Sequence, residues 1–311
     1  MERYDEMGLF RENADEAGLA WHGPPTVARV AVPTPKGDVS ALVWGSGPPE
    51  LVLIHGGAQN AHTWDTVALA LDRPLVAIDL PGHGHSAWWD DHEYTPRTMA
   101  DAVAVAVKEL APAARLVVGM SLGGLTALCL AAYHPDLVRR LVVVDVTPGT
   151  DHAKAEPIIA FISGPTRFAS FDEILQRTIE HNPTRSESSL RRGVLHNAHE
   201  EPDGSWAWRW DHIRNWRGAD GAPLATSDAT ADGQPAPTAP DFGDLWEAVD
   251  AVKVPLTLVR GGASGVVGDE DVVELLRRQP DAEVVVVDGA GHSVQGDKPL
   301  ELAALLADFA R

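Results

Sequence analysis

The sequence predicts an α/β fold with a mostly parallel central sheet flanked by helices. Short runs of Val, Ile and Leu bounded by Gly, Pro or Asp are typical of strands that are buried on both faces of a parallel sheet. Helical segments separate these runs, and the alternation indicates right-handed strand-helix-strand connections. The runs occupy residues 51–54, 75–78, 116–118, 141–144, 256–259 and 284–287, and the helical segments residues 62–71, 98–110, 122–133, 269–278 and 300–310.

Two further runs with β-branched residues precede the first buried run. Residues 27–32 and 39–44 are joined by Pro33-Thr34-Pro35-Lys36-Gly37. Because Pro and Gly favour a turn between two such runs, we expect an antiparallel hairpin at one edge of the sheet.

The alternation of strands and helices stops after Val144 and resumes at Pro255. We expect this interval to be an inserted helical cap, which includes the cluster Trp206, Trp208 and Trp210. Residues 218–241 are rich in Ala, Asp, Thr, Gly and Pro, the composition of a flexible linker. The predicted organisation is a first core segment at 1–146, a cap at 147–243 with a linker at about 218–241, and a second core segment at 244–311.

Composition and charge narrow the class of protein. The 311 residues are 44 % hydrophobic and 23 % charged, the balance of a soluble globular protein. The net charge of −20 would repel a phosphate backbone or an anionic membrane, so we expect neither nucleic acid nor a membrane as a partner. Cys129 is the single cysteine, which excludes an internal disulfide. The first residues lack a basic start followed by an apolar stretch, so we expect a cytoplasmic location.

A nucleophile motif follows the third buried run. Gly119-Met120-Ser121-Leu122-Gly123 lies between the run at 116–118 and a predicted helix, the context in which G-x-S-x-G forms a nucleophile elbow. The turn would raise the Ser121 hydroxyl above the sheet edge, where the Leu122 N–H at the helix N-terminus can stabilise an oxyanion. The alternative interpretation is a packing turn of small residues, and the position between strand and helix favours the nucleophile.

Two more segments at strand ends offer groups for the same chemistry. His55-Gly56-Gly57-Ala58 follows the first buried run, and Gly57, with Ala58 as the alternative, would give a second oxyanion donor. Gly289-Ala290-Gly291-His292 follows the last run and makes His292 the preferred general base. The pair His83 and His85 lacks a third ligand of suitable spacing, so we expect a shaped turn and no metal.

These motifs, in this order, resemble the α/β-hydrolase superfamily over most of residues 45–311. The matching pieces are His55-Gly56-Gly57, Asp79-x-Pro81-Gly82-His83-Gly84-x-Ser86, Gly119-Met120-Ser121-Leu122-Gly123, and Gly291-His292 followed by Pro299. The resemblance implies a serine hydrolase that needs no cofactor.

The acid departs from the commoner family pattern, which places it after the seventh strand. Ser264 and Gly265 stand at those positions here, and Asp269 is better explained as the acidic start of a helix. Asp145 directly follows the run at 141–144, and haloalkane dehalogenases and zearalenone lactonases are similar in placing the acid after the sixth strand. We therefore favour Asp145 over Asp269 as the third member of a triad with Ser121 and His292.

The expected activity is cleavage of a carboxylic ester or lactone through an acyl-enzyme. A serine nucleophile argues against haloalkane dehalogenase and epoxide hydrolase chemistry, which use an aspartate in this fold. Trp206, Trp208 and Trp210 either pack in the core or line a pocket for a bulky hydrophobic or aromatic substrate, with a zearalenone-type macrocyclic lactone as the most specific expectation. A thioesterase, a carbon-carbon bond hydrolase and a small-ligand receptor on a hydrolase scaffold are the alternatives.

Overall fold

The computed structural model describes residues 4–150, 152–183, 185–218, 220–221 and 242–311. The strands are β1 Val27–Val32, β2 Val39–Trp44, β3 Leu51–Ile54, β4 Leu75–Ile78, β5 Leu116–Met120, β6 Leu141–Val144, β7 Arg167–Phe168, β8 Ala198–Glu200, β9 Trp206–Trp208, β10 Leu256–Gly261 and β11 Glu283–Val287. The helices are α1 Phe10–Ala17, α2 Asp65–Leu71, α3 Pro96–Leu110, α4 Leu122–Tyr133, α5 His152–Ile162, α6 Phe171–His181, α7 Glu187–Asn197, α8 Trp246–Ala251, α9 Asp269–Arg278, α10 Val294–Asp297 and α11 Pro299–Phe309.

Eight of the strands form one sheet in the order β1-β2-β4-β3-β5-β6-β10-β11. β2 pairs antiparallel with both β1 and β4, and the pairs from β4 to β11 are parallel. The predicted α/β class, the mostly parallel sheet and the hairpin of β1 and β2 are confirmed. The order also makes β5, β6, β10 and β11 consecutive neighbours, so the residues that follow these four strands meet at one edge of the sheet.

Successive residues of the central strands pack on opposite faces of the sheet. In β3, Val52 and Ile54 pack with α3 and α4, whereas Leu51 and Leu53 pack with α2 and α11. All four side chains are fully buried, and burial of such a side chain stabilises the fold by about 1.5–3 kcal/mol. This double burial explains why β3, β4 and β6 are uninterrupted apolar runs in the sequence.

The segment between β6 and β10 is an insertion, because these two strands are neighbours in the main sheet. Its described part contains α5, α6 and α7 and a small antiparallel sheet in the order β7-β9-β8. This segment, expected as a helical cap, has three short strands beside its helices, and the alternating Trp206-Ala207-Trp208 run forms β9. Of the predicted linker, residues 219 and 222–241 lie outside the described residues. In the part of the chain that is described, no helix has both the length and the apolar character needed to cross a membrane.

Candidate active site

Ser121 occupies a sharp turn between β5 and α4. Its φ of +52° and ψ of −124° are strained for a residue with a side chain, and its N–H donates to the Val144 carbonyl at 3.1 Å. A Cβ on Gly123 would lie 2.3 Å from the His55 carbonyl oxygen, and one on Gly119 would lie 2.2 Å from that of Gly123. Glycine at these two positions lets α4 approach the sheet closely enough to form the turn.

Asp145 directly follows β6 and is fully buried. Its φ of +51° turns the backbone, and its N–H donates to the Val259 carbonyl at 2.8 Å. Three donors converge on its carboxylate. The Gly261 N–H donates to Oδ1 at 2.9 Å, and Oδ2 accepts from Ser264 Oγ at 2.5 Å and from His292 Nδ1 at 2.9 Å. These three hydrogen bonds hold the carboxylate in a fixed orientation.

His292 lies on the loop after β11, and this loop is tied to the loop after β10. The Ala263 N–H donates to the Ala290 carbonyl at 2.8 Å, and a Cβ on Gly261 would lie 2.3 Å from the Gly291 carbonyl oxygen. With Nδ1 bonded to Asp145, His292 Nε2 is buried and has no hydrogen-bond partner within the described ranges. Nε2 is therefore the nitrogen left to exchange a proton.

Gln59 connects the His292 loop with the surroundings of Ser121. Its Nε2 donates to Ser293 Oγ at 3.5 Å, and its Oε1 accepts from the Gly56 N–H at 3.2 Å. A Cβ on Gly56 would lie 3.1 Å from the Ser121 Cβ. No hydrogen bond joins Ser121 and His292 directly in the described part of the chain. Catalytic hydrogen bonds often tighten only when substrate binds.

The two predicted oxyanion donors lie beside each other. A Cβ on Gly57 would lie 3.8 Å from Leu122 Cδ2 and 4.0 Å from Leu122 Cβ. Neither backbone N–H has an acceptor among the residues described, so both remain available to an oxygen of the substrate. Ala58, the alternative donor, has a φ of +57°, and its carbonyl accepts from Asn197 Nδ2 at 2.6 Å.

The alternative acid, Asp269, lies away from His292. Its side chain is 92 % exposed at the start of α9, and its Oδ1 accepts from Arg260 Nη1 at 2.6 Å. The structure therefore brings Asp145, and not Asp269, into contact with the histidine.

A groove of about 800 Å³ runs between the inserted segment and the core loops next to this cluster. Trp208 is the one of the three predicted pocket tryptophans that lines it; its ring contacts that of Phe161 edge to face at 5.8 Å. Trp206 packs on Phe171 instead, and Trp210 stacks on Trp208 at 6.0 Å. The groove is also lined by Ala58, Gln59, Phe161, Arg185 and Gly291.

The comparisons with known proteins identify the family to which this fold belongs. A family model described as the alpha/beta hydrolase fold matches residues 49–299. The chain belongs to the α/β-hydrolase family. This confirms the family predicted from the motifs.

This hydrolase is similar to the esterase Rv0045c of Mycobacterium tuberculosis, with 46 % identity over 310 residues that cover 97 % of the chain and 94 % of the relative. A crystal structure of that esterase aligns with a TM-score of 0.83 at 44 % identity, covering 99 % of this chain and 98 % of the other. The structure of E-2-(acetamidomethylene)succinate hydrolase shares the fold, with a TM-score of 0.76 at 24 % identity and coverage of 91 % and 99 %.

One buried cluster of the hydrolase contains possible metal ligands. Among the described residues, one ligand atom from each of His62, Asp65 and His196 lies within 4.8 Å of the other two. The two imidazole rings stack at 3.7 Å with an interplanar angle of 9°, so their in-plane lone pairs do not converge on one point. His62 also bonds to Asp65 at 2.9 Å and Glu6 at 3.1 Å. Burial opposes the charge, but these carboxylates raise the pKa of His62 to about 9, so the cluster fits a protonated imidazole better than a metal.

Sequence reasoning missed the contribution of Ser264. The only feature of the sequence that indicates a role for position 264 is the family pattern, in which an acid usually stands there. The hydroxyl instead donates to Asp145 across 119 residues of sequence and accepts from the Val266 N–H at 3.2 Å. Ser264 therefore helps to hold the Asp145 carboxylate from a position at which the family pattern predicts an acid.

Proposed function

We propose that the chain is a carboxylic ester hydrolase that acts through an acyl-enzyme on Ser121. The observation that carries this proposal is the convergence of four strand ends, which supply Ser121, Asp145, Ser264 and His292 at one edge of the sheet. The esterase named among the relatives supports the same reaction class.

In the proposed reaction, Ser121 Oγ attacks the carbonyl carbon of the ester as His292 Nε2 takes its proton. Asp145 holds His292 with Nδ1 protonated and stabilises the imidazolium that forms. The imidazolium then gives its proton to the leaving alcohol. A water molecule, deprotonated by His292, then attacks the acyl-enzyme. The bond from the acyl carbon to Ser121 Oγ breaks, His292 returns the proton to Oγ, and the carboxylic acid leaves.

Charge that develops on the carbonyl oxygen would be stabilised by the N–H groups of Gly57 and Leu122. Both are free of other acceptors among the described residues and lie beside the serine. Loss of one such donor has cost about 3 kcal/mol of transition-state stabilisation in a serine hydrolase where it was tested.

A more specific proposal concerns the acyl group of the substrate, which derives from its acid part. Phe161 and Trp208 form an apolar wall suited to a bulky or aromatic group, and a lactone of the zearalenone type is one such substrate. A groove of about 800 Å³ has the volume of a typical small-molecule site.

A panel of matched esters, lactones and thioesters tests the proposal. We expect the oxygen esters to give the highest kcat/KM and the Ser121→Ala variant to lose at least about 10⁴-fold on them. Equal turnover by the variant would exclude Ser121 as nucleophile, and a thioester preference of tenfold or more would replace the proposed reaction class.

A further inference from the structure

Arg185 is a groove residue that the proposed reaction does not use. It precedes α7, is partly buried, and lines the groove beside α10. A Cβ on Gly296 would lie 2.9 Å from Arg185 Cζ, so the glycine leaves room for the guanidinium against α10. Gly296 is four residues beyond His292, which is at most about 14 Å even along an extended chain.

The Arg185 guanidinium lacks a complete set of partners. Its Nη2 donates to Ser189 Oγ at 2.7 Å, while its buried Nε has no hydrogen-bond partner within the part of the chain that the structure describes. No carboxylate in that part lies within 4.0 Å of it. Asp297 and Glu16 act on it electrostatically from farther away, and burial lowers its pKa. A guanidinium so placed retains donors for an anion.

The other charged groups near Arg185 have partners of their own. Glu16 binds Arg192 and Ser186, Lys298 lies 3.6 Å from Glu301, and Asp297 Oδ2 accepts from the Gly291 N–H at 2.9 Å. Arg185 therefore differs from Arg192, whose charge is already neutralised inside the protein.

We propose that Arg185 binds an anionic group, such as a carboxylate, at the far end of an ester whose scissile bond lies at Ser121. The proposal rests on the proposed ester hydrolysis and specifies its substrate class as a monoester of a dicarboxylic acid or a comparable anionic ester. The guanidinium matches a carboxylate in shape and charge, and the groove connects Arg185 with Ala58 and Gly291, which lie beside the oxyanion donor and the base.

Two matched series of p-nitrophenyl esters test this inference. One series carries the monoesters of succinate, glutarate, adipate and suberate, and the other the esters of unbranched monocarboxylic acids with the same numbers of carbons. The measured quantity is the ratio of kcat/KM for the anionic ester to that for the neutral ester at each chain length. We expect Arg185→Gln to lower this ratio about tenfold or more for at least one chain length, mainly by raising KM for the anionic ester. Loss of a hydrogen bond to a charged group weakens binding by about this factor.

Two further variants separate charge recognition from packing. Arg185→Lys keeps the charge and should lower the ratio less than Arg185→Gln. Arg191→Gln is the matched control, because Arg191 is 45 % exposed, pairs with Glu12 at 3.7 Å and should leave the ratio unchanged. A ratio in Arg185→Gln equal to that of the wild type at every length, or an equal fall in both Arg185 variants, would overturn the inference. Failure of the wild type to hydrolyse either series would overturn the proposed function and the inference with it.

Discussion

Replacement of Asp145 by Asn should lower kcat on an activated ester by roughly 10⁴-fold, the loss known for such a change in a serine hydrolase triad. Three donors meet the two carboxylate oxygens of Asp145, from Gly261, Ser264 and His292. An amide replaces one of these acceptors by a donor. If its NH₂ group faces His292 Nδ1, the imidazole must carry its proton on Nε2, where it can no longer accept the serine proton. The loss corresponds to about 5.5 kcal/mol of transition-state stabilisation.

The assay is steady-state hydrolysis of p-nitrophenyl acetate, with Asp269→Asn as the matched control. Asp269 is 92 % exposed and its ion pair with Arg260 contributes little, so the control should stay within about twofold of the wild type. A second substitution makes the test sharper. Ser264 Oγ lies 2.5 Å from the oxygen that binds His292, so Ser264→Asp in the Asp145→Asn background should recover at least about tenfold in kcat. Near-full activity of Asp145→Asn with a loss of several orders of magnitude in Asp269→Asn would refute the reasoning.

Two further outcomes are expected from single substitutions. Ser264→Ala should lower kcat on p-nitrophenyl acetate about tenfold, because the Asp145 oxygen that binds His292 then loses the hydroxyl that helps to orient it; an unchanged kcat would contradict this positioning role. His62 has a folded-state pKa of about 9, above the ordinary value, so its stabilisation is complete below about pH 6.5 and is lost as the pH rises through 9. Over this pH interval, the free energy of unfolding measured with urea should therefore fall by about 3 kcal/mol in the wild type and by much less in His62→Gln. An equal fall in the two proteins would exclude His62 as the cause.

The central strands could be predicted from the sequence because their side chains are buried on both faces. The apolar runs at 51–54, 75–78 and 141–144 coincide with β3, β4 and β6. β5 and β10 extend beyond their apolar runs to Met120 and Gly261. Backbone hydrogen bonds pair the strands, so the hydrophobic pattern of the side chains does not determine where a strand ends.

α1 was not predicted because its own pattern is weak. Only Phe10, Asn13 and Ala14 are buried among its eight residues. The Phe10 ring lies 4.8 Å from that of Trp44, and Gly18 ends the helix with a φ of +69°. Packing against the rest of the fold stabilises such a short helix more than its intrinsic propensity does.

The sequence predicts the position of a candidate site residue only where that residue follows the end of a strand. Asp145 and His292 follow strands that belong to one edge of the sheet, and the structure has their side chains in contact, while their catalytic roles stay predictions. The contacts of Ser264 and Arg185 join segments that are far apart in sequence. Sequence spacing contains no information about such contacts, so only the folded chain reveals them.

Labelling with a fluorophosphonate probe, followed by peptide mass spectrometry, tests the central claim that Ser121 is an activated nucleophile. We expect one adduct on the peptide that contains Ser121 in the wild type, and none on the corresponding peptide of Ser121→Ala. An unlabelled wild type, or an adduct on a different serine, would contradict the claim.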